Sequence, residues 1–515
     1  MDEITLFPQP RELERKTGGF TLNRHTRVFA ADSAIGATLA DYLRPATGFD
    51  LPVHPLDDDI LSNAQNAILL APEASDDAEG YRLEVEPGRA LLSASQRAGF
   101  LHGMQTIRQL LPQQILASET QAGVDWTIPG VVINDSPAFG WRGIHLDVGR
   151  HIFPVAFIKK FIDMLAFYKF NTFHWHLTED QGWRIEIKKY PRLTEVGAYR
   201  EETVVAGAWD QYDGASYGGF YTQDEVREVV AYAAERGITV MPEIELPGHA
   251  VAALTAYPEL GCAGAGYRVR TTWGIAEDIF CAGKDAVFSF VNDVLGEVLE
   301  LFPSQYIHIG GDEAPKARWQ ACPACQARIQ AEGLADEHEL QSWFIRQIEA
   351  WLNERGRNLV GWDEILEGGL APNATVMSWR GSDGGIAAAN AGHDVIMTPN
   401  TYCYLDYYQT EDTESEPPAI SAILPLRQVW QYEVIPRQIA ADKRHHILGG
   451  QGNIWTEYMP QSDHVEYMMF PRAIAIADVL WHHPDERDYD ALIARLGRHL
   501  PALDVMGVNY RPLND

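Results

Sequence analysis

The stretch Tyr306-Ile307-His308-Ile309-Gly310-Gly311-Asp312-Glu313 carries the clearest structural signal in the chain. Its first part is a short, mostly apolar run, which is typical of a buried strand. Two adjacent carboxylates follow at the point where that strand stops. In parallel barrels the functional side chains lie at the carboxyl ends of the strands, so this stretch predicts a barrel strand that ends in an active site.

Similar apolar runs alternate with helix-like stretches from residue 138 onward, which favours parallel βα units. The runs cover residues 143–148, 172–177, 239–245, 306–311, 359–362, 376–379, 394–397 and 448–455. Helices are predicted at residues 155–168, 224–236, 285–301, 337–354 and 465–480. Because eight strands are what a (β/α)8 barrel requires, we predict an α/β protein with a TIM barrel over residues 138–515.

Two parts of this barrel depart from a regular repeat. Residues 178–222 form a long insertion between the second strand and its helix. The sixth and seventh connections are short or irregular.

Residues 1–137 have a different pattern, which predicts a small α+β domain. Strand-like residues 81–86 and 90–94 flank the turn signal Pro87-Gly88, and residues 99–111 have helical spacing that stops at Pro112. We therefore expect a sheet covered by a helix. The polar run Asn134-Asp135-Ser136-Pro137 marks the boundary with the barrel.

Composition and charge exclude several classes of protein. Of the 515 residues 46% are apolar, and 72 acidic residues against 41 basic ones give a net charge of −31. Such a charge opposes binding to nucleic acid or anionic lipid, whereas a neutral substrate is little affected. No apolar run approaches the roughly 18 residues of a membrane span, and the N-terminus lacks the features of a signal peptide. We expect a cytoplasmic protein, or a periplasmic or secreted one if a targeting segment has been removed.

The five cysteines do not form the framework of a disulfide-rich protein. They are Cys262, Cys281, Cys322, Cys325 and Cys403. The motif Cys322-Pro323-Ala324-Cys325 has the form of half a zinc site or a redox pair, but no second pair with metal-ligand spacing accompanies it. A structural or incidental role is therefore favoured. Cys262 and Cys281 could bridge two ends of one loop, which the sequence leaves open.

Acidic, basic and aromatic side chains follow most of the predicted barrel strands. In strand order they are Asp147 and Arg150; His174, His176, Glu179, Asp180, Trp183 and Arg184; Glu243, Glu245 and His249; Asp312 and Glu313; Trp362, Asp363 and Glu364; Trp379 and Arg380; Tyr402, Tyr404 and Asp406; and Trp455 and Glu457. Pyranose rings are held by aromatic platforms together with carboxylate and arginine hydrogen bonds. A single tryptophan is more often a core residue, but three at strand ends favour a sugar site.

Asp312 and Glu313 are the predicted catalytic pair. Glycosidic cleavage needs a proton donor at the leaving oxygen and a negative charge beside the oxocarbenium-like centre. Ordinary retaining enzymes place two carboxyl groups about 5 to 5.5 Å apart across the bond, which adjacent residues would struggle to do. If the substrate has a 2-acetamido group, its carbonyl oxygen can attack instead and one carboxylate can orient it. Alternatively, the pair caps a helix or binds a cation.

The motif His174-Trp175-His176 suggests a rival, metal-dependent hydrolysis. Such a site would need further His or Lys ligands on later strands, but the fifth and sixth runs offer Trp, Asp, Glu and Arg. Core or supporting histidines are favoured, and we expect neither a metal nor a cofactor.

Five motifs resemble those of the family 20 β-N-acetylhexosaminidases, and the likeness covers nearly the whole chain. They are Trp141-Arg142-Gly143 with Leu146-Asp147-Val148-Gly149-Arg150-His151; His176-Leu177-Thr178-Glu179-Asp180-Gln181-Gly182-Trp183-Arg184; Pro242-Glu243-Ile244-Glu245-Leu246-Pro247-Gly248-His249; His308-Ile309-Gly310-Gly311-Asp312-Glu313; and Trp455-Thr456-Glu457. The N-terminal region also resembles the small α+β domain that precedes the barrel in this family.

The resemblance implies a retaining enzyme that removes terminal β-linked N-acetylglucosamine or N-acetylgalactosamine from the non-reducing end, with the 2-acetamido group as nucleophile. Glu313 would be the general acid/base, Asp312 would orient the acetamido group, and Tyr404 would bond its carbonyl. Trp362, Trp379 and Trp455 would enclose its methyl group. Arg150, Asp406 and Glu457 would bind the hydroxyl groups, and Asp180 and His249 would lie behind the acid.

Two positions depart from the family pattern. Glu179 stands where the family often has Asp, and the segment 405–429 has no Trp, although some relatives have a leaving-side platform there. The expected partner is a small oligosaccharide or glycan. The sequence leaves open the preferred sugar, the linkage, a substrate such as chitobiose, and the oligomeric state, a homodimer included.

Two alternatives to this enzyme remain. One is a carbohydrate-binding protein that has lost its catalytic activity. The expected catalytic and sugar-binding residues are all present, however, namely Arg150, Asp312, Glu313, Tyr404, Trp455 and Glu457. The other is an ordinary two-carboxylate glycosidase for sugars without an acetamido group.

Overall fold

The structure is a computed structural model that describes residues 4–482 and 487–513. The chain divides into two compact units. The first comprises residues 1–142, 163–170 and 469–515, and the second residues 143–162 and 171–468. The boundary predicted between residues 137 and 138 stays a prediction.

The first unit contains a seven-stranded mixed sheet. In sheet order its strands are Glu12–Thr21, Thr127–Asp135, Tyr81–Glu86, Arg89–Ala94, Ala67–Pro72, Arg27–Ala30 and Val53–Pro55. Side chains alternate between buried and half-buried along Tyr81–Glu86, because successive residues of a strand face opposite sides of the sheet. The helices of the N-terminal part are Ser33–Thr47, Asp58–Asn63 and Arg97–Leu110.

A buried polar cluster lies in the core of this unit. The carboxylate of Asp135 is 3.1 Å from the Lys169 ammonium and accepts hydrogen bonds from the Tyr81 hydroxyl and the Trp481 indole. Both charged side chains are almost wholly inaccessible to solvent. Burial lowers the pKa of Lys169, and Asp135 opposes that shift. Each charge therefore depends on the other.

The second unit is built around a closed barrel of eight parallel strands, which confirms the predicted TIM barrel. In chain order the strands are Trp141–Asp147, Thr172–His176, Thr239–Leu246, Tyr306–Gly310, Asn358–Trp362, Thr375–Ser378, Val395–Met397 and Ile447–Gly452. Each corresponds to one of the eight predicted runs. We refer to them as the first to the eighth barrel strand.

The strands alternate with helices along the chain. The helices are Val155–Phe167, Gln223–Glu235, Asp285–Leu301, Glu337–Asn353, Asp383–Ala391, Leu426–Trp430, Ser462–Met469 and Arg472–Trp481. Gln223–Glu235 begins with a capping box between Thr222 and Glu225, which satisfies backbone N–H groups that have no partner within the helix. No helix among the described residues is long and apolar enough to cross a membrane.

The prediction of one helix over residues 465–480 is wrong. The structure has two helices, and Phe470-Pro471 separates them. The proline ring has no N–H and clashes with the preceding turn, so a helix cannot continue through it without distortion.

Short elements occupy the connections. The insertion at residues 178–222 contains Thr178–Glu179, Gly182–Trp183, Arg192–Glu195, Tyr199–Arg200, Val204–Val205, Ala208–Tyr212 and Tyr217–Gly218. Later connections contain Val251–Ala256, Ala317–Ala321, Pro323–Glu332, Asn400–Cys403, Tyr407–Tyr408 and Ile420–Ile423, and the chain finishes with Tyr489–His499 and Pro501–Val505. The short 3-10 helices are Gln113–Leu116, Pro258–Leu260, Asp363–Leu366, Thr413–Ser415 and Ala441–His446.

We expect Asp135→Asn to destabilise the protein by about 3 to 5 kcal/mol, because it removes the carboxylate that is paired with the buried Lys169 ammonium. The midpoint of urea-induced unfolding, followed by circular dichroism, measures this change. Glu14→Gln is the matched control: it breaks an ion pair with Lys16 whose side chains are 67% and 43% exposed, and should cost less than about 1 kcal/mol. Equal shifts for the two variants would contradict the role given to Asp135.

Candidate active site

Two glycines at the end of the fourth barrel strand set the direction of the catalytic pair. Gly310 and Gly311 have φ values of +68° and +95°, a region that residues with a side chain rarely adopt. A Cβ atom on Gly310 would collide with the carboxylate of Glu245, and one on Gly311 would lie 2.5 Å from Ile365. The chain therefore turns sharply here and directs Asp312 and Glu313 into the barrel mouth.

A pocket of about 160 Å³ lies at the carboxyl ends of the barrel strands. Its lining residues are Arg150, His249, Asp312, Glu313, Trp362, Trp379, Tyr404, Asp406, Tyr407, Ile420, Trp455 and Glu457. Typical ligand pockets have about 300 to 1,000 Å³, so this one is suited to a small group. Carboxylates, an arginine and aromatic rings together are suited to a sugar.

Aromatic rings form one wall of the pocket. Trp362 and Trp455 have ring centroids 5.7 Å apart, and the Trp379 ring stacks on Tyr404 with an interplanar angle of 19°. The Trp379 indole N–H also donates to the carboxylate of Glu364 at 2.9 Å. These contacts fix the rings before any ligand arrives, which reduces the entropy lost on binding.

The Glu243 carboxylate supports this wall from inside the barrel. It lies 2.6 Å from His176, 2.7 Å from His308 and 2.9 Å from His174, and it accepts the indole N–H of Trp362 at 2.9 Å. All these side chains are buried. Burial alone would raise the pKa of Glu243, but the imidazoles hold it well below its usual range. Burial opposes a charge on His176, yet Glu243 and Glu179 raise its pKa to about 10.

The separations around Glu243 are those of hydrogen bonds. In a zinc site, bonds of about 2.0 to 2.1 Å would place neighbouring nitrogen and oxygen ligands farther apart than the 2.6 Å between His176 and Glu243. His174 and His176 therefore act as hydrogen-bonding partners of the buried Glu243 carboxylate. This is consistent with the interpretation of the His174-Trp175-His176 motif as core or supporting histidines.

A chain of opposite charges runs from Arg150 to the catalytic pair. Arg150 is 3.1 Å from Glu179, and Glu179 is 2.7 Å from Nδ1 of His249. The other ring nitrogen of His249 is 3.5 Å from both Asp312 and Glu313. Burial disfavours the imidazolium, but Glu179 and Asp312 raise the pKa of His249 well above its usual value. His249 therefore presents a positive charge to the pair.

The two members of the pair lie at different depths. The Asp312 side chain is 11% exposed and the Glu313 side chain 32% exposed. Glu245 lies behind Asp312, and burial together with the negative charge of Asp312 raises its pKa well above the usual range. The same two effects raise the pKa of Glu364 to about 8. Asp312 is thus the deeper member of the pair and interacts with two carboxyl groups of raised pKa, while Glu313 is near the mouth.

The structure places nearly all the predicted site residues together. Asp180 is the exception: it does not line the pocket but lies 3.8 Å from His249 and accepts the backbone N–H of Val251. Two lining residues, Tyr407 and Ile420, were absent from the prediction, because a short strand pair after the seventh barrel strand brings them in. The position of Tyr407 directly after the predicted site residue Asp406 was the available signal for the first of them.

A larger cavity of about 960 Å³ lies in the first unit. Arg15, Lys16 and Arg498 line it together with apolar and amide groups, and none of its lining residues within 4–482 and 487–513 has a carboxylate. It therefore offers no acid for glycosidic cleavage, and the smaller pocket is the candidate site despite its size.

A parallel barrel whose mouth holds two carboxylates against a wall of tryptophans is typical of glycoside hydrolases. Residues 139–484 match the family described as "Glycosyl hydrolase family 20, catalytic domain". Residues 3–136 match "Glycosyl hydrolase family 20, domain 2". The chain belongs to glycosyl hydrolase family 20.

Named relatives are similar over almost the whole chain. A β-hexosaminidase of Porphyromonas gingivalis is 47% identical over 98% of the chain, which spans 64% of that relative's length. The structure of a mutant Streptomyces plicatus β-hexosaminidase with its product GlcNAc is 32% identical in sequence and has a TM-score of 0.84. The match covers 98% of this chain and 96% of the Streptomyces chain. The structure of an exo-β-N-acetylglucosaminidase of Vibrio harveyi with N-acetylglucosamine is 34% identical in sequence and has a TM-score of 0.86. That match covers 98% of this chain and 78% of the Vibrio chain.

We expect the destabilisation caused by His176→Gln to shrink as the pH rises. The folded-state pKa of about 10 exceeds the usual 6.5, so the stability that His176 contributes is fully present below pH 6.5 and is lost as the pH rises through about 10. Urea midpoints of wild type and variant, compared below pH 6.5 and near pH 10, measure the effect. A gap between the two proteins that stays constant with pH would show that His176 is not held in its charged form.

Proposed function

We propose that this protein is an exo-acting, retaining β-N-acetylhexosaminidase that uses the 2-acetamido group of its substrate as the nucleophile. The observation that carries the proposal is the shared orientation of Asp312 and Glu313. Both approach the same nitrogen of His249, so they lie on one side of the pocket and not across it. Family 20 is itself a known exception to the scheme with two opposed carboxylates.

The depths of the two carboxylates suggest separate roles. A terminal sugar that enters the pocket leaves its glycosidic oxygen near the mouth, where the more exposed Glu313 can donate a proton to it. The deeper Asp312 lies beside the aromatic wall, where it can accept the N–H of an acetamido group. Nε2 of His249 lies 3.5 Å from both carboxylates and so faces the pair from behind.

The reaction then proceeds in two steps. Glu313 protonates the leaving oxygen while the acetamido carbonyl oxygen attacks the anomeric carbon, which breaks the glycosidic bond and forms a cyclic oxazolinium ion. The Asp312 carboxylate stabilises the positive charge on the nitrogen of the oxazolinium ion. Water, deprotonated by Glu313, then opens the ring from the opposite face. Two inversions give a product with retained configuration.

Aromatic and charged side chains would position the sugar for this attack. Burial raises the pKa of Tyr404 well above its usual range, so its hydroxyl stays protonated and can donate to the acetamido carbonyl. Trp362, Trp379 and Trp455 would enclose the methyl group.

Arg150, Asp406 and Glu457 supply groups for the hydroxyls of the terminal ring. They line the pocket with the catalytic pair, and Arg150 is 3.9 Å from Glu457. The small cavity supports cleavage one sugar at a time from a chain end.

We expect Glu313→Gln to lower kcat/KM on chitobiose by about 100- to 10,000-fold, the range typical of a lost general acid. The loss should be smaller on a 4-nitrophenyl N-acetyl-β-D-glucosaminide, because nitrophenolate leaves with little protonation. Initial rates on both substrates measure the effect.

Glu300→Gln, on an exposed face of the helix Asp285–Leu301, is the matched control and should keep wild-type rates. If the wild type bound the sugar but did not hydrolyse it, the result would instead support the alternative of a carbohydrate-binding protein without catalytic activity.

We expect a thiazoline analogue of the cyclic intermediate to inhibit the wild type at concentrations far below the KM for substrate. Asp312→Asn should lower kcat by about 100- to 1,000-fold and weaken thiazoline binding as well, because one carboxylate stabilises both the intermediate and its analogue. Steady-state inhibition and isothermal titration test this pair of effects. Indifference to the thiazoline, together with covalent trapping by a fluorosugar, would identify an ordinary two-carboxylate glycosidase.

A further inference from the structure

Four of the five cysteines converge on one point beside the barrel mouth. They are Cys262, Cys281, Cys322 and Cys325, and their sulfur atoms all lie within 4.8 Å of one another. The Sγ atom of Cys281 is 3.5 Å from that of Cys325 and 3.7 Å from that of Cys322, and Cys262 is 3.8 Å from Cys325. The fold therefore places Cys262 and Cys281 next to Cys322 and Cys325, although their spacing in the sequence is not that of metal ligands.

These distances match those of a tetrahedral zinc site. Zn–S bonds of about 2.3 Å place the sulfurs of such a site about 3.8 Å apart. A disulfide needs sulfurs about 2.05 Å apart, and all four thiols are free. A disulfide would also join only two of the sulfurs and would not explain why four meet. Three of the four are buried, whereas redox-active cysteines are partly exposed.

Local structure brings the four ligands together. An antiparallel bridge between Gly261 and Phe280 places Cys262 and Cys281 on neighbouring segments. Cys322 and Cys325 lie at the start of the helix Pro323–Glu332, with the two-residue spacing typical of zinc ligands. Gly283 lets the first pair approach the second, because a Cβ atom there would collide with the backbone of Ala324.

Positively polarised groups lie near the four sulfur atoms. The N-terminal end of the helix Pro323–Glu332 carries a partial positive charge next to Cys322 and Cys325. The backbone N–H of Gly283 donates to the sulfur of Cys281. The ammonium group of Lys284 donates hydrogen bonds to the carbonyl oxygens of Glu259 and Gly261, the latter the residue before Cys262. These donors would offset the charge that four thiolates leave around a divalent cation.

We propose that Cys262, Cys281, Cys322 and Cys325 bind one structural Zn²⁺ ion, which cross-links two loops of the barrel mouth. Four thiolates in a closed tetrahedron are typical ligands of structural zinc, and binding releases the thiol protons to solvent. This proposal departs from the expectation of no metal that was drawn from the sequence. One joined loop follows the third barrel strand and carries His249, and the other follows the fourth strand and carries Asp312 and Glu313. The ion would therefore hold together the two loops that contribute the charged centre of the pocket.

Metal analysis of the full chain tests the proposal independently of any catalytic activity. Protein purified without a metal-binding tag should contain about one zinc per chain by inductively coupled plasma mass spectrometry. The double variant Cys322→Ser with Cys325→Ser should lose it, while Cys403→Ser should retain it. Cys403 is the matched control because it is a buried free cysteine outside the cluster.

A second measurement keeps the test decisive if the double variant does not fold. Wild-type protein in which Co²⁺ replaces the bound metal should show the sulfur-to-cobalt charge transfer and strong visible bands of a tetrahedral thiolate site. Removal of the metal with a chelator should expose four additional thiols to a thiol reagent. Soluble wild-type protein without stoichiometric metal, or with an intact mass lowered by disulfide formation, would overturn the proposal, as would iron in place of zinc.

Discussion

The carboxylate of Glu243 is the interaction on which the rest of the site depends. It is buried inside the barrel, where a lone charge would cost several kcal/mol, and three imidazoles and one indole offset that cost. The partners come from the second, fourth and fifth barrel strands. The Glu243 carboxylate therefore contacts side chains from several barrel strands below the pocket. The same carboxylate positions Trp362 by accepting its indole N–H.

From this centre the polar groups form layers toward the mouth. Glu243 and its imidazoles lie deepest, Glu179 and His249 lie above them, and Asp312 and Glu313 face the cavity. Each layer sets the charge of the next: carboxylates keep His249 protonated, and His249 faces the catalytic pair. Ion pairs join each layer to the next, so a change in one layer alters the charges that the next layer faces. The zinc site proposed above would strengthen the same region from outside by joining the two loops that meet at His249.

The sequence was sufficient to predict the barrel and nearly all the pocket residues, because both depend on local patterns. Each strand is a short run with its polar residues at the carboxyl end, and a barrel gathers those ends in one place. What could not be predicted depends on distant contacts. Glu243 was visible as a strand residue, but its role at the centre of three imidazoles follows from register, which pairs it with His176 on one side and His308 on the other. Cys262 and Cys281 lacked metal spacing along the chain and meet the other pair only through the fold. Pro471, by contrast, was a local signal for the helix break that the periodicity obscured.

The turn at Gly310 and Gly311 separates two things that are usually altered together, the placement of a catalytic group and its chemistry. Placement here is encoded by residues that have no side chain and that tolerate none, because the carboxylate of Glu245 and the side chain of Ile365 occupy the space. Chemistry is encoded by the two residues that follow. The carboxylates can therefore be exchanged for other functional groups while the backbone continues to deliver them to the same point. In evolution or in design, the glycine turn is the reusable part of this active site.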